Sequence, residues 1–516
     1  MTSELDQLAD RHLRPDPQST LAAPEAAIAG RVLVGIESRL AQTKAGQDML
    51  WMLSNLLCRQ FKLVTGISYD VPEDVPLQSR VAGFGAARTL KDTVFNCVRL
   101  VAGKHVAVTD QRETTEQHFI EIFIGRPEAA PRAPVRLVLY ADGWRLFVGH
   151  SFSQSDLPRS DVTFGPYMAA CFAAGEVFKR LRGMKPGKGS FIGEDHELCV
   201  SLWTANQAAS WMELDRDPVL EPMEFPPIYF AGAGAVAQAA ALSIGGLPEV
   251  SGHVTCADHD PLDLSNDNRY AIATLDDDGK PKAPFLTAFL AERGFTQYPY
   301  VGTWQEYVSR RGRQPNRTDL DQLEKSFRYR LVLSCVDDNA ARHAIQNLWP
   351  ELIIGGSTHG LTAKTIAYDM AGDQLCLKCY NPIVARNKLI KKRLDELRAM
   401  TSEERTKVFA EIGIDMAVAE AHLRDPRCGQ LSERDLNRFA AGEPTMSVGF
   451  VSVAAGVLLA AKLVRFATDG RHALVAKGPT LIANFYRPSL RWLWSAPEDG
   501  CDCISRRLQD WSARWG

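Results

Sequence analysis

Residues 226–242 read PPIYFAGAGAVAQAAAL, a short apolar run, a Gly-x-Gly turn and an Ala-rich stretch in immediate succession. This order predicts a buried strand, a tight turn at Gly232 and Gly234, and a helix whose unpaired N–H groups face the turn. Downstream, the strand candidates YFAG, VTCADHD, YVGTW, RLVLSCVDD and LIIGGS are mostly separated by helical patterns. The fold class is therefore α/β, a doubly wound, mostly parallel sheet of Rossmann type, which binds ligands at the carboxyl ends of its strands.

Polar clusters sit at those ends. The stretch from Asp258 to Lys282, DHDPLDLSNDNRYAIATLDDDGKPK, begins where the second strand stops. Asp258 is placed to accept hydrogen bonds from a ribose, which would equally suit a nicotinamide-binding domain. Such a domain has no need of Asn266, Arg269 and Lys282, because two cations aimed at one region imply a polyphosphate. A further cluster, LVLSCVDDNAAR, ends a strand with Asp337 and Asp338, followed by Arg342. Asp337 suits Mg²⁺, a hard cation that takes oxygen ligands and bridges phosphates, whereas Asp338 is expected to cap the next helix.

Gly-x-Gly, the series Asp258, Asp260, Ser265, Asn266 and Arg269, then Lys282, and a C-x-D at Cys335 and Asp337 followed by Arg342, together resemble the ubiquitin-activating, ThiF/MoeB-type adenylating family. The resemblance runs from about residue 225 to 510. Ala235 and Ala237 in the turn, Asp267 for the usual Leu and Tyr270 for the usual Gln depart from it, and none removes a charged group. It implies ATP bound by Gly232, Gly234, Asp258, Asp260, Asn266, Arg269, Lys282 and Asp337. The C-terminal glycine carboxylate of a ubiquitin-like protein would then attack the α-phosphate.

Cys376 and Cys379 form C-x-x-C, and Cys501 and Cys503 form C-x-C. Four thiolates make a closed tetrahedral zinc site, which the resemblance also implies, although the family's second pair is normally C-x-x-C. By the same resemblance Cys428, in RDPRCGQLSERD, is the thiol that takes the acyl group as a thioester and passes it to a conjugating enzyme's cysteine. Arg424, Arg427 and Arg434 nearby in sequence favour its thiolate. Cys428 lies in a charged helical insert, residues 383–445. Cys58, Cys97, Cys171, Cys199 and Cys256 fall in apolar patterns and are read as core, as is Cys335. A sulfur-carrier adenylyltransferase, a nicotinamide oxidoreductase and a scaffold with a decayed ATP site are the alternatives.

The length of 516 residues allows two or three domains. Residues 1–29 read as a flexible arm, 30–200 as a first domain ending in the Gly/Pro-rich segment GMKPGKGSFIGEDHEL, and 201–516 as the adenylation domain. The first domain opens on a βα unit, RVLVGIES then GQDMLWMLSNLLCRQF, and carries a hairpin in PVRLVLYADGWRLFVGHS. Its helix from Tyr167 to Leu181 resembles that from Ser452 to Phe466. It has no Gly-x-Gly and no D-x-D, so it is expected to be an inactive, pseudo-symmetric partner. This makes the chain an internal pseudo-dimer, with homodimerisation still open. Arg39 and Arg59 are candidates for an arginine lent to the ATP site. The arrangement also resembles activators of bacterial ubiquitin-like conjugation operons linked to antiviral defence.

A net charge of -3 points to neither nucleic acid nor an acidic membrane as partner. The uncharged run from Pro444 to Ala461 leads into KLVRF and reads as a buried helix. The polar opening MTSELDQLADRHLRPDPQST leads us to expect a cytoplasmic protein.

Overall fold

The computed structural model describes residues 3–154, 156–310, 329–369, 374–383, 386–412, 414–424, 446–475 and 478–515. It divides into a large unit, residues 1–381 with 447–516, and a small one, residues 382–446.

Two sheets of matching topology make up the large unit. The first has strands β1 (Gly30–Ile36), β2 (Val64–Asp70), β3 (Ala107–Asp110), β4 (Ile120–Ile124), β5 (Val135–Asp142), β6 (Arg145–Gly149) and β7 (Leu198–Ser201). Their spatial order is β3-β2-β1-β4-β5-β6-β7, parallel up to β5 and antiparallel beyond it. The second sheet has the two-residue β8 (Met223–Glu224), then β9 (Ile228–Ala231), β10 (Val250–Asp258), β11 (Phe295–Val301), β12 (Leu331–Ser334), β13 (Leu352–His359), β14 (Thr362–Asp369), β15 (Thr480–Asn484) and β16 (Ser489–Leu493). Here the order is β11-β10-β9-β12-β13-β14-β15-β16, with β8 beside β10, again parallel first and antiparallel after β13. The pseudo-symmetric first domain is thus a copy in strand order, and its last strand, β7, follows the Gly/Pro-rich segment.

Each sheet closes with hairpin, long helix and returning strand. In the first, helix α4 (Phe164–Leu181) lies between β6 and β7. In the second, helix α12 (Gly449–Asp469) lies between β14 and β15, with the small unit inserted ahead of it. These are the two Ala-rich helices that look alike in sequence, and they pack together through their small residues. A Cβ on Gly175 of α4 would come within 3.2 Å of the Phe450 ring of α12, while Gly456 of α12 faces the helix after β9, where a Cβ would come within 2.7 Å of the Val236 carbonyl. Helix α12 is long and apolar enough to cross a membrane, but 89% of its apolar window is buried inside the protein.

Helix α1 (Glu4–Leu13) corrects the expectation of a flexible arm. Ser3 and Asp6 form a capping box at its start, and Leu8, Ala9 and His12 are buried. His12 Nε2 lies 2.7 Å from the Phe61 carbonyl. Ten residues of mixed charge give little helical signal alone, and the burial of this one face supplies the stability.

The first sheet's βα unit continues from β1 into helix α2 (Lys44–Cys58), capped by Thr43 and entirely buried. Helix α3 (Leu90–Ala102) follows β2. In the second sheet, α5 (Ala235–Gly245) follows β9, α6 (Lys282–Ala291) follows the segment after β10, and α7 (Asn339–Gln346) follows β12. The short α8 (Leu377–Tyr380) contains the second cysteine of the C-x-x-C. Among its described residues, the small unit has helices α9 (Arg386–Ala399), α10 (Ser402–Ile412) and α11 (Met416–Arg424), around a core that includes Leu397, Phe409 and Ala419.

Candidate functional site

The crevice opens where β9 and β12 end side by side and their chains diverge to opposite faces of the sheet. Gly232 adopts φ +92°, and a Cβ there would lie 2.9 Å from the Cys335 carbonyl oxygen, so both conformation and contact demand glycine. Gly234 caps α5 without any side-chain bond, and a Cβ on it would meet nothing within 4 Å. The space beside Gly234 is therefore open at the start of a helix, where unpaired N–H groups favour an anion. Ala237 is fully buried and Ala235 packs against Leu262, Tyr270 and Ala273, so these departures touch packing.

Asp258 ends β10 and shapes the crevice floor. One of its oxygens accepts from the Ala233 N–H at 2.7 Å and the other from the Asp260 N–H at 2.9 Å. Each oxygen keeps lone-pair capacity for a ligand hydroxyl. Lys282 is the first residue of α6, with its ammonium 3.1 Å from the Asp260 carboxylate. Burial opposes its charge, but Tyr270, Asp258 and Asp260 outweigh burial and raise its pKa. Tyr270, in place of the usual Gln, is 2% exposed, and its hydroxyl faces Lys282 and Asn266.

Arg269 donates to the Asn266 side-chain oxygen, and its second terminal nitrogen is buried without a hydrogen-bond partner. Burial, and then the Arg11 guanidinium, push its pKa down to about 10, leaving it charged at neutral pH. Arg11, on α1, has its own buried Nε unpartnered, and its pKa falls through burial and Arg14, opposed by Asp10 and Asp337. Two guanidinium groups with orphaned N–H donors thus both feel the charge of the exposed Asp337 carboxylate. Orphaned buried donors are costly unless a ligand accepts from them. Asp338 caps α7 through the Ala341 N–H at 2.6 Å, as expected, and Arg342 bonds to Asn339 at 2.7 Å.

Arg11 was missed in the sequence because it lies in the stretch read as an arm. The only signal available was the basic turn closing an amphipathic ten-residue helix. Neither Arg39 nor Arg59 is the lent arginine. Arg39 is exposed on its own domain, and Arg59 is locked beneath the crevice segment. Its guanidinium donates to the Asp267 carbonyl at 2.6 Å, the Ala273 carbonyl at 2.5 Å and the Asn55 side chain at 2.8 Å, and lies 3.2 Å from the Asp267 carboxylate. The departure from Leu at position 267 therefore serves a buried ion pair between the two domains, with burial pushing the Asp267 carboxyl up to about 6 against Arg59. Asn268 also went unread: its amide donates to the Ser447 carbonyl at 2.9 Å, just before α12.

The four cysteines converge. Cys376 Sγ lies 3.5 Å from that of Cys379 and 3.7 Å from that of Cys501, and Cys379 Sγ lies 3.5 Å from that of Cys503. With metal–sulfur bonds of about 2.3 Å, a tetrahedral ion separates its sulfurs by about 3.8 Å, so this donor set fits zinc. Thiolate ligands at all four corners leave no open position for chemistry. Cys58, Cys97, Cys171, Cys199 and Cys256 are buried, in keeping with core packing. Cys428 lies outside the described residues.

Two family profiles match the sequence: the BilD N-terminal domain over residues 31–191 and the ThiF family over residues 225–492. Among curated proteins, the uncharacterized protein y4jF of Sinorhizobium fredii is 23% identical over 63% of this chain and 64% of its own length. The bacterial E1-like protein BilD of a Collimonas species is 25% identical over 42% of this chain and 44% of its own length. The chain thus spans less than two thirds of either relative. Among solved structures, E. coli MccB with succinimide aligns at a TM-score of 0.33 with 13% identity, covering 54% of this chain and 66% of that one.

Proposed function

This chain belongs to the ThiF family, and from that premise we propose that it activates the C-terminal carboxylate of a ubiquitin-like protein with ATP. The observation that carries the proposal is the pair of orphaned guanidinium donors, Arg11 and Arg269, within the electrostatic reach of Asp337, which stands two residues past the Cys335 carbonyl that abuts Gly232. A dinucleotide needs no such pair, whereas a triphosphate accepts from both.

In this reading Asp258 holds the ribose, and the N–H groups at the start of α5 face the phosphates. Arg269, Arg11 and Lys282 spread the charge that builds on the phosphates as the carboxylate oxygen attacks the α-phosphorus. The bond from the α-phosphorus to its bridging oxygen breaks, and pyrophosphate leaves with the electron pair. The product is an acyl-adenylate. Asp337 and Asp260 are the carboxylates that would hold Mg²⁺, which neutralises phosphate charge when bound. Cys376, Cys379, Cys501 and Cys503 would hold zinc as a structural tie.

The thiolate of Cys428 then attacks the acyl carbon, AMP departs, and the thioester passes to the cysteine of a conjugating enzyme. BilD, named an E1-like protein, is the relative that favours this second step over thiocarboxylate formation. ATP–pyrophosphate exchange with ubiquitin-like proteins encoded nearby tests the first step. Cys428→Ala is expected to keep exchange and lose the thiol-sensitive adduct. Exchange without any adduct in the unaltered protein would favour a sulfur-carrier activator, and no exchange with any of them a scaffold.

A further inference from the structure

Tyr270 stands where the family resemblance calls for Gln, midway along the segment that carries the crevice's charged groups. The ends of that segment are tied together, since the Lys282 N–H donates to the Asp260 carbonyl at 3.1 Å, so residues 260–282 form a closed loop. A short 3₁₀ turn, Leu264–Arg269, lies within it, and the chain leaves this turn extended at Tyr270. The Tyr270 ring joins Ala235, Leu262 and Ala273 in a buried apolar cluster, with Phe285 of α6 packed against it. Packing on these neighbours fixes the ring, and with it the place of the phenol oxygen.

That oxygen lies within hydrogen-bonding reach of the Lys282 ammonium and of the Asn266 side chain. An ammonium can only donate, so the phenol oxygen accepts from Lys282. Asn266 accepts in turn from the Arg269 guanidinium. One run of contacts thus joins Lys282, Tyr270, Asn266 and Arg269, with a cation at each end. The ammonium has one other hydrogen-bond partner among the described residues, the Asp260 carboxylate at 3.1 Å, whose side chain is 51% exposed. Asp260 is also one of the two carboxylates assigned above to Mg²⁺, so it does not serve the ammonium alone. A neutral hydroxyl differs from a carboxylate in a further respect. It holds the ammonium in place and leaves the positive charge uncancelled for phosphate oxygens.

We propose that Tyr270 is a positioning residue for the phosphate-facing cations, its hydroxyl holding the Lys282 ammonium on one side and, through Asn266, the Arg269 guanidinium on the other. The proposal rests on the carboxylate-activation reading above and adds the residue that keeps two of its cations in register before ATP arrives. Donors already in place need no rearrangement as charge develops on the phosphates, so loss of the hydroxyl lowers the rate as well as the affinity.

The test uses the full chain with Tyr270→Phe, which keeps the ring and removes the hydroxyl, and with Tyr270→Gln, which returns an acceptor to the position. Binding of ATP and of AMP is read by isothermal titration calorimetry with Mg²⁺ and without any carboxylate substrate. The unaltered protein should bind ATP tighter than AMP, because the cations meet the added phosphates. Tyr270→Phe should weaken ATP about three- to tenfold and leave AMP within about twofold, at a melting temperature close to that of the unaltered protein. Tyr270→Gln should regain part of the lost ATP affinity. In ATP–pyrophosphate exchange with a ubiquitin-like protein, Tyr270→Phe should lower kcat about tenfold and raise the KM for ATP less. Added to Lys282→Ala, the same substitution should cost about threefold at most, since one of the two cations it holds is gone.

A packing role alone would leave the Phe variant unchanged, so equal ATP affinity of Tyr270→Phe and the unaltered protein would overturn the proposal. So would an equal weakening of ATP and AMP, a Tyr270→Gln protein no better than Tyr270→Phe, or an undiminished tenfold loss in the Lys282→Ala background. Loss of the ATP preference in Tyr270→Phe, with no exchange from any ubiquitin-like protein, would leave the role of Tyr270 standing and sink carboxylate activation. Exchange that Tyr270→Phe leaves intact would do the reverse.

Discussion

Arg269 and Lys282 differ in what holds them, and their substitutions should differ accordingly. Lys282 has a carboxylate partner at 3.1 Å and carries one compact charge at a helix start. Arg269 and Arg11 each keep a buried donor with no acceptor. Lys282→Ala should lower ATP–pyrophosphate exchange about 100-fold, the usual cost of one donor aimed at developing charge. Arg11→Met should lower it by at least about tenfold and also raise the apparent Kd for ATP, because its orphaned Nε needs the phosphates in the ground state too. An Arg11→Met protein with wild-type exchange and ATP affinity would remove α1 from the site. Of these three cations, Arg269 and Lys282 could be read from spacing because they share one continuous segment. Arg11 could not, since its place depends on packing between residues distant in the chain.

At the scale of elements, what supports the crevice segment comes from the other domain. Arg59, at the C-terminal cap of α2, bonds two carbonyls and pairs with one carboxylate of residues 267–273. Arg59→Met would leave a buried carboxylate unpaired and should cost about 3–5 kcal/mol in a denaturant melt. Adding Asp267→Leu should restore part of this, but not all, because two buried carbonyls still lack a donor.

Helix α1 has a pH dependence of its own. His12 is buried and its pKa is pushed down to about 4, chiefly by desolvation. As pH falls below about 6.5 the unfolded chain takes up a proton that the folded one refuses until near pH 4, so the stability His12 contributes is lost on acidification. Asp267, raised to about 6, works in the opposite sense over the same range, so the measurement is a difference at each pH. The advantage of the unaltered protein over His12→Gln should shrink by about 3 kcal/mol between pH 7 and pH 4, read from paired melts. The strands and long helices were legible because their apolar runs are local. This helix was not, because only the burial of Leu8, Ala9 and His12 against the rest of the chain makes it stable.

For the whole molecule, the two sheets share one strand order, and the Ala-rich helices α4 and α12 betrayed the duplication in the sequence. The first copy lacks the Gly-x-Gly turn and the D-x-D of the second, the difference from which it was read as an inactive partner. The polar part of the contact between copies was not legible, for it rests on single pairs such as Arg59 with Asp267 that no periodicity marks. The cysteine cluster acts at this scale as well, joining residues 376–379 to 501–503. Native mass spectrometry should find one zinc per chain, and Cys503→Ser or a strong chelator should remove it and open residues 495–515 to protease while leaving the first sheet protected.

The meeting of Arg11 with Arg269 also orders events during synthesis. A ribosome delivers α1 early, yet the surface that receives it includes residues 264–269 and the Ser447 amide that bonds to the Arg11 carbonyl. Until translation has passed the insert and released Ser447, the first guanidinium has nowhere complete to dock. The surroundings of Arg11 are therefore complete only after residue 447 has been made, when α1 meets a segment more than 400 residues further along the chain.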